Sequence, residues 1–391
     1  MIIGVDLYPQ LIFTTGVRVV VDNLLANLQA HHPEHTFVEL RPAYRPLPAA
    51  RFGKLAKLFN HLQRLYWTQV DLPMLALQHR CDLLFCTCHY NPYYQPVPTI
   101  TLFYDMALFR EPERYPRWWI ELNRLFALQP ARKNIHLTTV SETARRDLIH
   151  VLGIPATSVT VIYPGVKLRA VGANTPSDVE VLASYGVSSD DEYILHLGAA
   201  APYKNLPNLV RGFARLVRML PERRLKLVLA GPGSNAHGNH NLALVRAVAT
   251  QEGITERLIL TGFVPDEHVA ALYRRASAYA FPSYFEGFGL PMIEAMAYEV
   301  PVVASRRASL PEVGGDAALY FDPDSPEQIA HTLLLSLTQP ALRAAMIHRG
   351  RKRALHFTWD RAAAEYVTLF ERMVGVGAHT TVPVINRDLL K

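Results

Sequence analysis

Residues 281–305 read FPSYFEGFGLPMIEAMAYEVPVVAS, and the way this stretch divides sets the fold. An apolar run over Ala278–Phe281 reads as a strand. Glu286-Gly287-Phe288-Gly289 reads as a loop, and Pro291 suits the first turn of a helix, where the N–H that proline lacks would go unbonded anyway. That helix runs over Pro291–Tyr298, and the apolar run Pro301–Ala304 is the next strand. Strand, loop, helix and strand form the repeating unit of a parallel α/β sheet. Glycines at 287 and 289 let a ligand approach the backbone closely. The free N–H groups at the helix start offer a seat for phosphate. Glu286 and Glu294 would point in different directions on one continuous helix, whereas a loop followed by a helix lets both face one elongated ligand. Taken alone, the spacing also admits a local cap or ion pair for Glu286 and a solvated position for Glu294.

The same alternation extends in both directions. Behind the quoted stretch lie candidate strands at Tyr193–Gly198, Lys226–Ala230 and Arg257–Thr261, and ahead of it one at Ala318–Phe321. Helices fit at Leu206–Met219, Asn241–Gln251, Asp266–Arg275 and Pro326–Leu337. The N-terminal half has its own series: strands at Ile2–Leu7, Thr36–Leu40, Leu83–Cys88, Thr99–Phe103, His136–Val140 and Val159–Ile162. Its first helix, from about Val17 to His31, places Val20, Leu24, Leu25 and Leu28 on one face. The pattern restarts after Pro176 and the acidic, Gly- and Ser-containing stretch from Gly186 to Glu192. The expectation is α/β: two doubly wound Rossmann-like domains, residues 1–175 and 176–358, facing across a cleft that takes the ligand. A terminal helix over 359–375 has Trp359, Tyr366, Leu369 and Phe370 to pack back on the first domain. The aperiodic tail 376–391 is expected to be partly mobile.

The composition narrows the classes. At 391 residues, two domains are the natural prior, and a formal charge of +6 is too weak to imply nucleic acid. No run of roughly 18 apolar residues is present, and the start MIIGVDLYPQ lacks the pattern of a signal peptide, which points to the cytoplasm. Cys81, Cys86 and Cys88 sit in CDLLFCTC, a strand-like run whose spacing, even with His89, fits no usual zinc pattern; they read as reduced structural residues. A nicotinamide enzyme would show Gly-x-Gly-x-x-Gly after an early strand, and DLYPQLIFTTG lacks it.

Glu286-x7-Glu294 within PSYFEGFGLPMIEAMA resembles the signature of the retaining glycosyltransferase family 4, also called glycosyl transferases group 1, with the GT-B fold. The resemblance continues through residues 305–330 (SRRASLPEVGGDAALYFDPDSPEQIA), 194–213 (ILHLGAAAPYKNLPNLVRGF), 227–234 (LVLAGPGS) and 260–283 (LTGFVPDEHVAALYRRASAYAFPS). FTWDRAAAEYV, near residue 357, resembles the family's terminal segment. The resemblance implies an enzyme that transfers a hexose from a nucleoside-diphosphate sugar, GDP-mannose or UDP-glucose, held by the C-terminal domain. Glu286 then looks like the carboxylate near the donor sugar, and Glu294 like the one that accepts from the nucleotide ribose. The backbone of Gly287, Phe288, Gly289 and Leu290 resembles the cradle for sugar and diphosphate. Lys204, in APYKN, looks like the cation on the diphosphate, able to stabilise charge on the departing nucleotide. Gly198 resembles the glycine that precedes this loop. Many members place an Arg shortly after that glycine or just before the Lys, where this chain has Ala199 and Tyr203. Gly231, Gly233, Phe263 and Val264 resemble walls of the base pocket; without the resemblance they read as a strand-end turn and a core edge.

The N-terminal domain would then be the acceptor side. Thr14-Thr15-Gly16-Val17-Arg18 resembles a glycine-rich loop that faces the diphosphate, with Gly16 admitting phosphate and Arg18 either binding it or standing solvated at the helix start. TVSETARRDL, residues 139–148, resembles the family's strand-to-helix turn, with Ser141 and Glu142 at the cap, and VIYPGV, residues 161–166, its last strand and turn. At LFYDMA, residues 102–107, Tyr104-Asp105 stands where the family frequently has His-Asp. Tyr104 can donate a hydrogen bond there but carry no charge, and Asp105 reads as a catalytic or acceptor-side residue or as a helix cap. Residues 41–70 contain Arg41, Arg45, Arg51, Lys54, Lys57 and Arg64 with no Asp or Glu. Phe52, Leu55, Phe59, Leu62 and Tyr66 recur there at near-helical spacing beside Trp67. The segment reads as a peripheral surface for an anionic bilayer or as ordinary packing with a solvated face. YPRWWI, residues 115–120, either widens that surface or lines the acceptor groove.

The implied acceptor is a saccharide or lipid-linked saccharide of polysaccharide or lipopolysaccharide synthesis. The nucleotide sugar is a substrate, and neither a cofactor nor a divalent metal is expected; the donor region has no Asp-x-Asp. Retention implies substitution from one face, with closure of the domains excluding water. The alternatives are a sugar phosphorylase or synthase of the same fold, or a non-catalytic nucleotide-sugar-binding protein.

Overall fold

A computed structural model describes residues 1–12, 16–47, 49–105, 117–118, 120–121, 135–166, 177–231 and 236–375, without the side chains of 49–55, 57 and 236–240. The chain divides into two compact units. The first runs Met1–Gly165 and takes in the helix Trp359–Val374; the second runs Val166–Phe357.

Among the described residues each unit holds a six-stranded parallel sheet. In the first, the strands are β1 (Ile2–Asp6), β2 (Thr36–Leu40), β3 (Leu83–Cys86), β4 (Thr99–Phe103), β5 (Ile135–Thr139) and β6 (Val159–Val161), in the order β2-β1-β3-β4-β5-β6. In the second they are β7 (Glu192–Leu197), β8 (Leu225–Ala230), β9 (Leu258–Gly262), β10 (Ala278–Phe281), β11 (Val302–Ser305) and β12 (Ala318–Phe321), in the order β12-β11-β10-β7-β8-β9. Counted from β7, the second order is that of a dinucleotide-binding fold, and its direction reverses between β7 and β10, the place where such sheets bind ligands. The first sheet reverses between β1 and β3.

The expected strands all form, with ends shifted by no more than two residues. Central strands are buried throughout, as β3, β4, β5, β10 and β11 show, which is why their sequences read largely as apolar runs. The Leu206–Met219 helix turns Leu206, Leu209, Val210, Phe213 and Leu216 into the second core, where they meet Ile329 and Leu333. Pro340–Ala354 is a helix that the apolar pattern does not announce. It buries little beyond Met346, Gly350, Arg353 and Ala354, so its sequence carries no stripe. Ser141, Thr358 and Ser325 cap their helices through side-chain oxygens.

The Trp359–Val374 helix belongs to the first core. Tyr366 and Phe370 lie with ring centroids 5.0 and 5.5 Å from Phe85, and the Tyr366 hydroxyl is 3.1 Å from that of Thr138. Tail residues 376–391 fall outside the described residues. Cys81, Cys86 and Cys88 are free and buried.

The basic segment forms a helix at Ala49–Tyr66, but its Trp67 and Arg64 turn inward. Trp67 opens a π-helical turn, Trp67–Asp71, and is only 1% exposed. Its ring stacks on Tyr8, and its Nε1 donates to Asp6 Oδ1 at 2.9 Å. Arg64 lies over the Tyr90 ring, 3.5 Å from its centroid. Asp6, at the carboxyl end of β1, is itself buried and also accepts from Tyr8 N at 3.0 Å. Burial raises its pKa from 3.8 to about 6, partly offset by the Tyr8 and Trp67 hydrogen bonds and by the Arg64 charge.

A folded pKa above the unfolded one means that the native state holds the proton more tightly. This contribution is therefore complete below the unfolded pKa of 3.8 and lost as pH rises through about 6. A shift of roughly two pKa units corresponds to about 3 kcal/mol. Asp6→Asn keeps the Oδ1 acceptor. Denaturant titrations from pH 4 to 7 should show a smaller loss of stability with rising pH in Asp6→Asn than in the parent chain.

Candidate functional site

The switch point of the second sheet lies between β7 and β10. The turn after β7 contains Gly198 and a short 3-10 turn, Pro202–Lys204. The turn after β10 contains residues 282–289. Two hydrogen bonds fasten them, Tyr284 N donating to Tyr203 O at 2.8 Å and Asn205 Nδ2 to Pro282 O at 3.3 Å, and Asn205 Nδ2 also reaches Pro323 O, past β12, at 2.7 Å. Asn205 adopts a left-handed backbone (φ 54°) and turns the chain directly into the Leu206–Met219 helix.

This fastening brings Lys204 Nζ to 2.6 Å from Glu286 Oε1, across 82 positions of sequence. The pair is mostly buried, with side chains 10% and 13% exposed. The ammonium also lies 5.2 Å from the centroid of Phe281 and 5.3 Å from that of Tyr203.

The Leu290–Ala297 helix begins one residue before Pro291. Gly289 precedes it at φ 104°, and a Cβ there would stand 3.0 Å from Leu310 and 3.1 Å from Phe281. No other residue satisfies both the conformation and the space. Phe288 is buried, edge-on to Phe357 at 5.3 Å, while Gly287 and Leu290 are half-buried. Ser309 Oγ sits 2.9 Å from Glu286 O and 3.0 Å from Phe288 O, so one hydroxyl serves both loop carbonyls. Glu294, one turn into the helix, accepts from the Tyr273 hydroxyl at 3.0 Å. It is half-buried, and the Tyr273 hydroxyl holds one of its oxygens.

Beside the switch point, Gly198 N donates to Ala230 O and Gly231 N to Gly262 O, both at 2.9 Å. The ends of β7, β8 and β9 therefore form one backbone floor. Phe263, just past β9, is 82% exposed, whereas Val264 is buried. Gly233 lies outside the described residues.

In the first unit, Thr14 and Thr15 also fall outside the described residues. Gly16 begins a helix with open space around its Cα. Arg18 is exposed and 3.4 Å from Asp22 on the next turn. Asp105 is exposed after β4. The Tyr104 hydroxyl, by contrast, is buried without a hydrogen bond, near Cys88 and Tyr366, and burial holds its pKa well above the usual range.

Ser309, Tyr273 and Asn205 were not singled out from sequence. Each acts on the site through a carbonyl or a carboxylate distant in sequence, and nothing in its local spacing marks it.

With this geometry in hand, the comparisons decide the family. Residues 180–353 match the model described as glycosyl transferases group 1, and residues 14–170 match that of glycosyltransferase family 4. The O-antigen chain mannosyltransferase B of Escherichia coli is 30% identical over 276 residues, 70% of this chain and 70% of that protein. The chain belongs to glycosyltransferase family 4. It is thus a glycosyltransferase, and its fold is GT-B. A D-inositol 3-phosphate glycosyltransferase of Kineococcus radiotolerans is 33% identical over 253 residues, 61% of this glycosyltransferase and 57% of that protein. Likeness of fold covers nearly the whole chain. Sucrose-phosphate synthase from Thermosynechococcus elongatus superposes at a TM-score of 0.72 with 16% identity, over 96% of this chain and 100% of that one. WaaG, a glycosyltransferase involved in lipopolysaccharide biosynthesis, gives 0.66 with 14% identity, over 95% and 99%. Anabaena HepE in complex with UDP-glucose gives 0.67 with 16% identity, over 94% and 99%.

Ser309→Ala removes the one donor shared by two loop carbonyls. The unfolding midpoint in urea should fall by the equivalent of about 1–2 kcal/mol, while Ser309→Thr, which keeps the hydroxyl, should lose less.

Proposed function

We propose that this glycosyltransferase moves a hexose from a nucleoside-diphosphate sugar to a saccharide or lipid-linked saccharide in polysaccharide or lipopolysaccharide synthesis, with retention at the anomeric carbon. The observation that carries the reading is the Lys204–Glu286 pair at the switch point of the second sheet, 2.6 Å apart and close to the start of the Leu290–Ala297 helix. A buried ammonium beside a helix N-terminus suits a diphosphate whose charge grows as the sugar departs. Glu286 lies where it can take the donor sugar once Lys204 turns to phosphate. Glu294, oriented by Tyr273, accepts from the ribose hydroxyls. The exposed Phe263 ring, with the Gly198 and Gly231 floor, receives the base.

The bond from anomeric carbon to diphosphate oxygen breaks on the face where the acceptor hydroxyl enters. The diphosphate leaves with the bonding pair and accepts the hydroxyl proton, so a new glycosidic bond forms with the old configuration. Lys204 and backbone amides stabilise the leaving charge, and no divalent ion is required. The mannosyltransferase relative favours GDP-mannose over UDP-glucose as donor. On the first unit Asp105 is the acceptor-side group, with Tyr104 packed beside it as support.

Calorimetry with a panel of UDP-, GDP- and ADP-sugars tests this directly. One donor should bind, transfer should persist in EDTA, and the product anomer should match the donor's. Glu286→Gln should cut kcat on the order of 10²–10³-fold. Equal and negligible binding across the panel, or full transfer by Glu286→Gln, would refute the reading.

The acceptor side carries a second observation. Leu58, Leu62, Tyr66, Val70, Met74 and Leu77 follow one another at near-helical spacing along residues 58–77, each 36–56% exposed. Trp118, 54% exposed, stands edge-on to His61 in the same segment. No acid occurs between residues 41 and 70. Among the described residues no helix is long and apolar enough to cross a membrane. We infer a peripheral contact with an anionic bilayer, at the inner face of the plasma membrane, where a lipid-linked acceptor would be met. Flotation with phosphatidylglycerol vesicles should recover the protein, and uncharged phosphatidylcholine vesicles should not. Leu62→Glu with Tyr66→Glu should abolish flotation and leave nucleotide binding intact.

A further inference from the structure

His196, on β7, is buried at 1% exposure two residues before Gly198. Its Nδ1 lies 3.0 Å from Ala280 O, and since a carbonyl only accepts, Nδ1 carries the proton. Nε2 is therefore a bare lone pair. It is buried and has no hydrogen-bond partner. The ring lies near-parallel to Tyr279 and tilted to Phe281, with centroids 6.3 and 6.1 Å away, and the Nδ1 bond to Ala280 O fixes which way Nε2 faces.

That nitrogen borders the turn after β7 that carries Lys204. A Cβ built on Gly198 would stand 3.5 Å from His196 Nε2 and 3.9 Å from Lys204 Nζ, so both nitrogens border the same point above the Gly198 backbone. Burial and the nearby Lys204 charge, partly offset by the Ala280 hydrogen bond, lower the imidazole pKa to about 3, so the ring is neutral at neutral pH. A phosphate oxygen, itself rich in electrons, would be repelled by Nε2. An ammonium N–H would be accepted. In the free protein, Lys204 donates to Glu286 instead.

We propose that His196 is a positioning residue for Lys204, its Nε2 receiving an N–H of the ammonium when Glu286 turns to the donor. Held by Nε2 behind and phosphate in front, the ammonium stays over Gly198 as the diphosphate departs. Without His196 it would lose its rear anchor at the moment its partner carboxylate is engaged elsewhere. The inference rests on Lys204 serving the diphosphate, and the test separates the two.

The imidazole nitrogens are followed by NMR in histidine-labelled protein, with His196→Asn assigning the signal. Nε2 should move from the unbonded towards the hydrogen-bonded range when saturating GDP or UDP is added. It should move likewise without nucleotide in Glu286→Ala, which releases Lys204, and should stay put in Glu286→Ala with Lys204→Met. An unmoved Nε2 in nucleotide-saturated protein overturns the proposal, as does the same movement in the double variant. If neither nucleotide binds by calorimetry, the donor reading fails first, and the Glu286→Ala arm still decides whether Lys204 reaches His196. In kinetics, His196→Asn keeps a donor for Ala280 O but loses the acceptor. With no acceptor left at the Nε2 position, it should lower kcat about tenfold with little change in donor KM, and the longer His196→Gln, whose amide can reach that position, should recover part of the loss. A change in KM alone would mark His196 as packing.

Discussion

Lys204 and Glu286 meet because β7 and β10 are neighbours in the sheet although separated by two intervening strands in sequence. The chain leaves β7, lays down β8 and β9 on one side, then returns to place β10 on the other. The loops leaving β7 and β10 consequently diverge in opposite directions, and a gap opens between them that no crossover helix fills. The rest of the second unit serves that gap. Asn205 and the Tyr284 N–Tyr203 O bond hold its sides together, Gly289 turns the chain into the helix beneath it, and Ser309 steadies the loop from below.

The ion pair inside the gap is an investment in function more than in stability. Desolvating two charges costs nearly as much as their attraction returns, so well-packed apolar residues would hold such a site together as well or better. What the pair supplies is a charge already stripped of water and already oriented. A ligand phosphate that captures Lys204 does not have to dehydrate it. Neighbouring groups follow the same logic: Tyr273 orients Glu294, and His196 offers a lone pair with no partner in the resting protein. Unsatisfied buried acceptors are costly, and this one lies beside the most strongly charged part of the site.

Much of this was legible in the sequence, for a physical reason. Strands buried on both faces leave continuous apolar runs, and helices on a sheet leave stripes, so the order of elements could be read directly. The two glutamates and Lys204 were found through local motifs and resemblance. The Pro340–Ala354 helix was missed because it covers little of the core and so carries no stripe. Ser309, Tyr273 and His196 were missed because their importance lies in what they face across the fold, and spacing along a chain does not record that. Trp67 and Arg64 misled for the complementary reason. On a helix rich in basic and aromatic residues they look like surface, yet the buried Asp6 and the Tyr90 ring draw them inward.

The helix Trp359–Val374 has a consequence for how the protein is made. Tyr366 and Phe370 fill space beside Phe85 in the first core, yet they follow the whole of residues 166–357 in the chain. The first unit is thus discontinuous in the chain, and its early portion must wait, with Phe85 uncovered, while residues 166–357 are synthesised. The second unit, contiguous from Val166 to Phe357, can close its own core during that interval. Order of completion therefore runs opposite to order of synthesis: the half translated first is finished last, and a chain cut short before residue 359 would leave the first core incomplete.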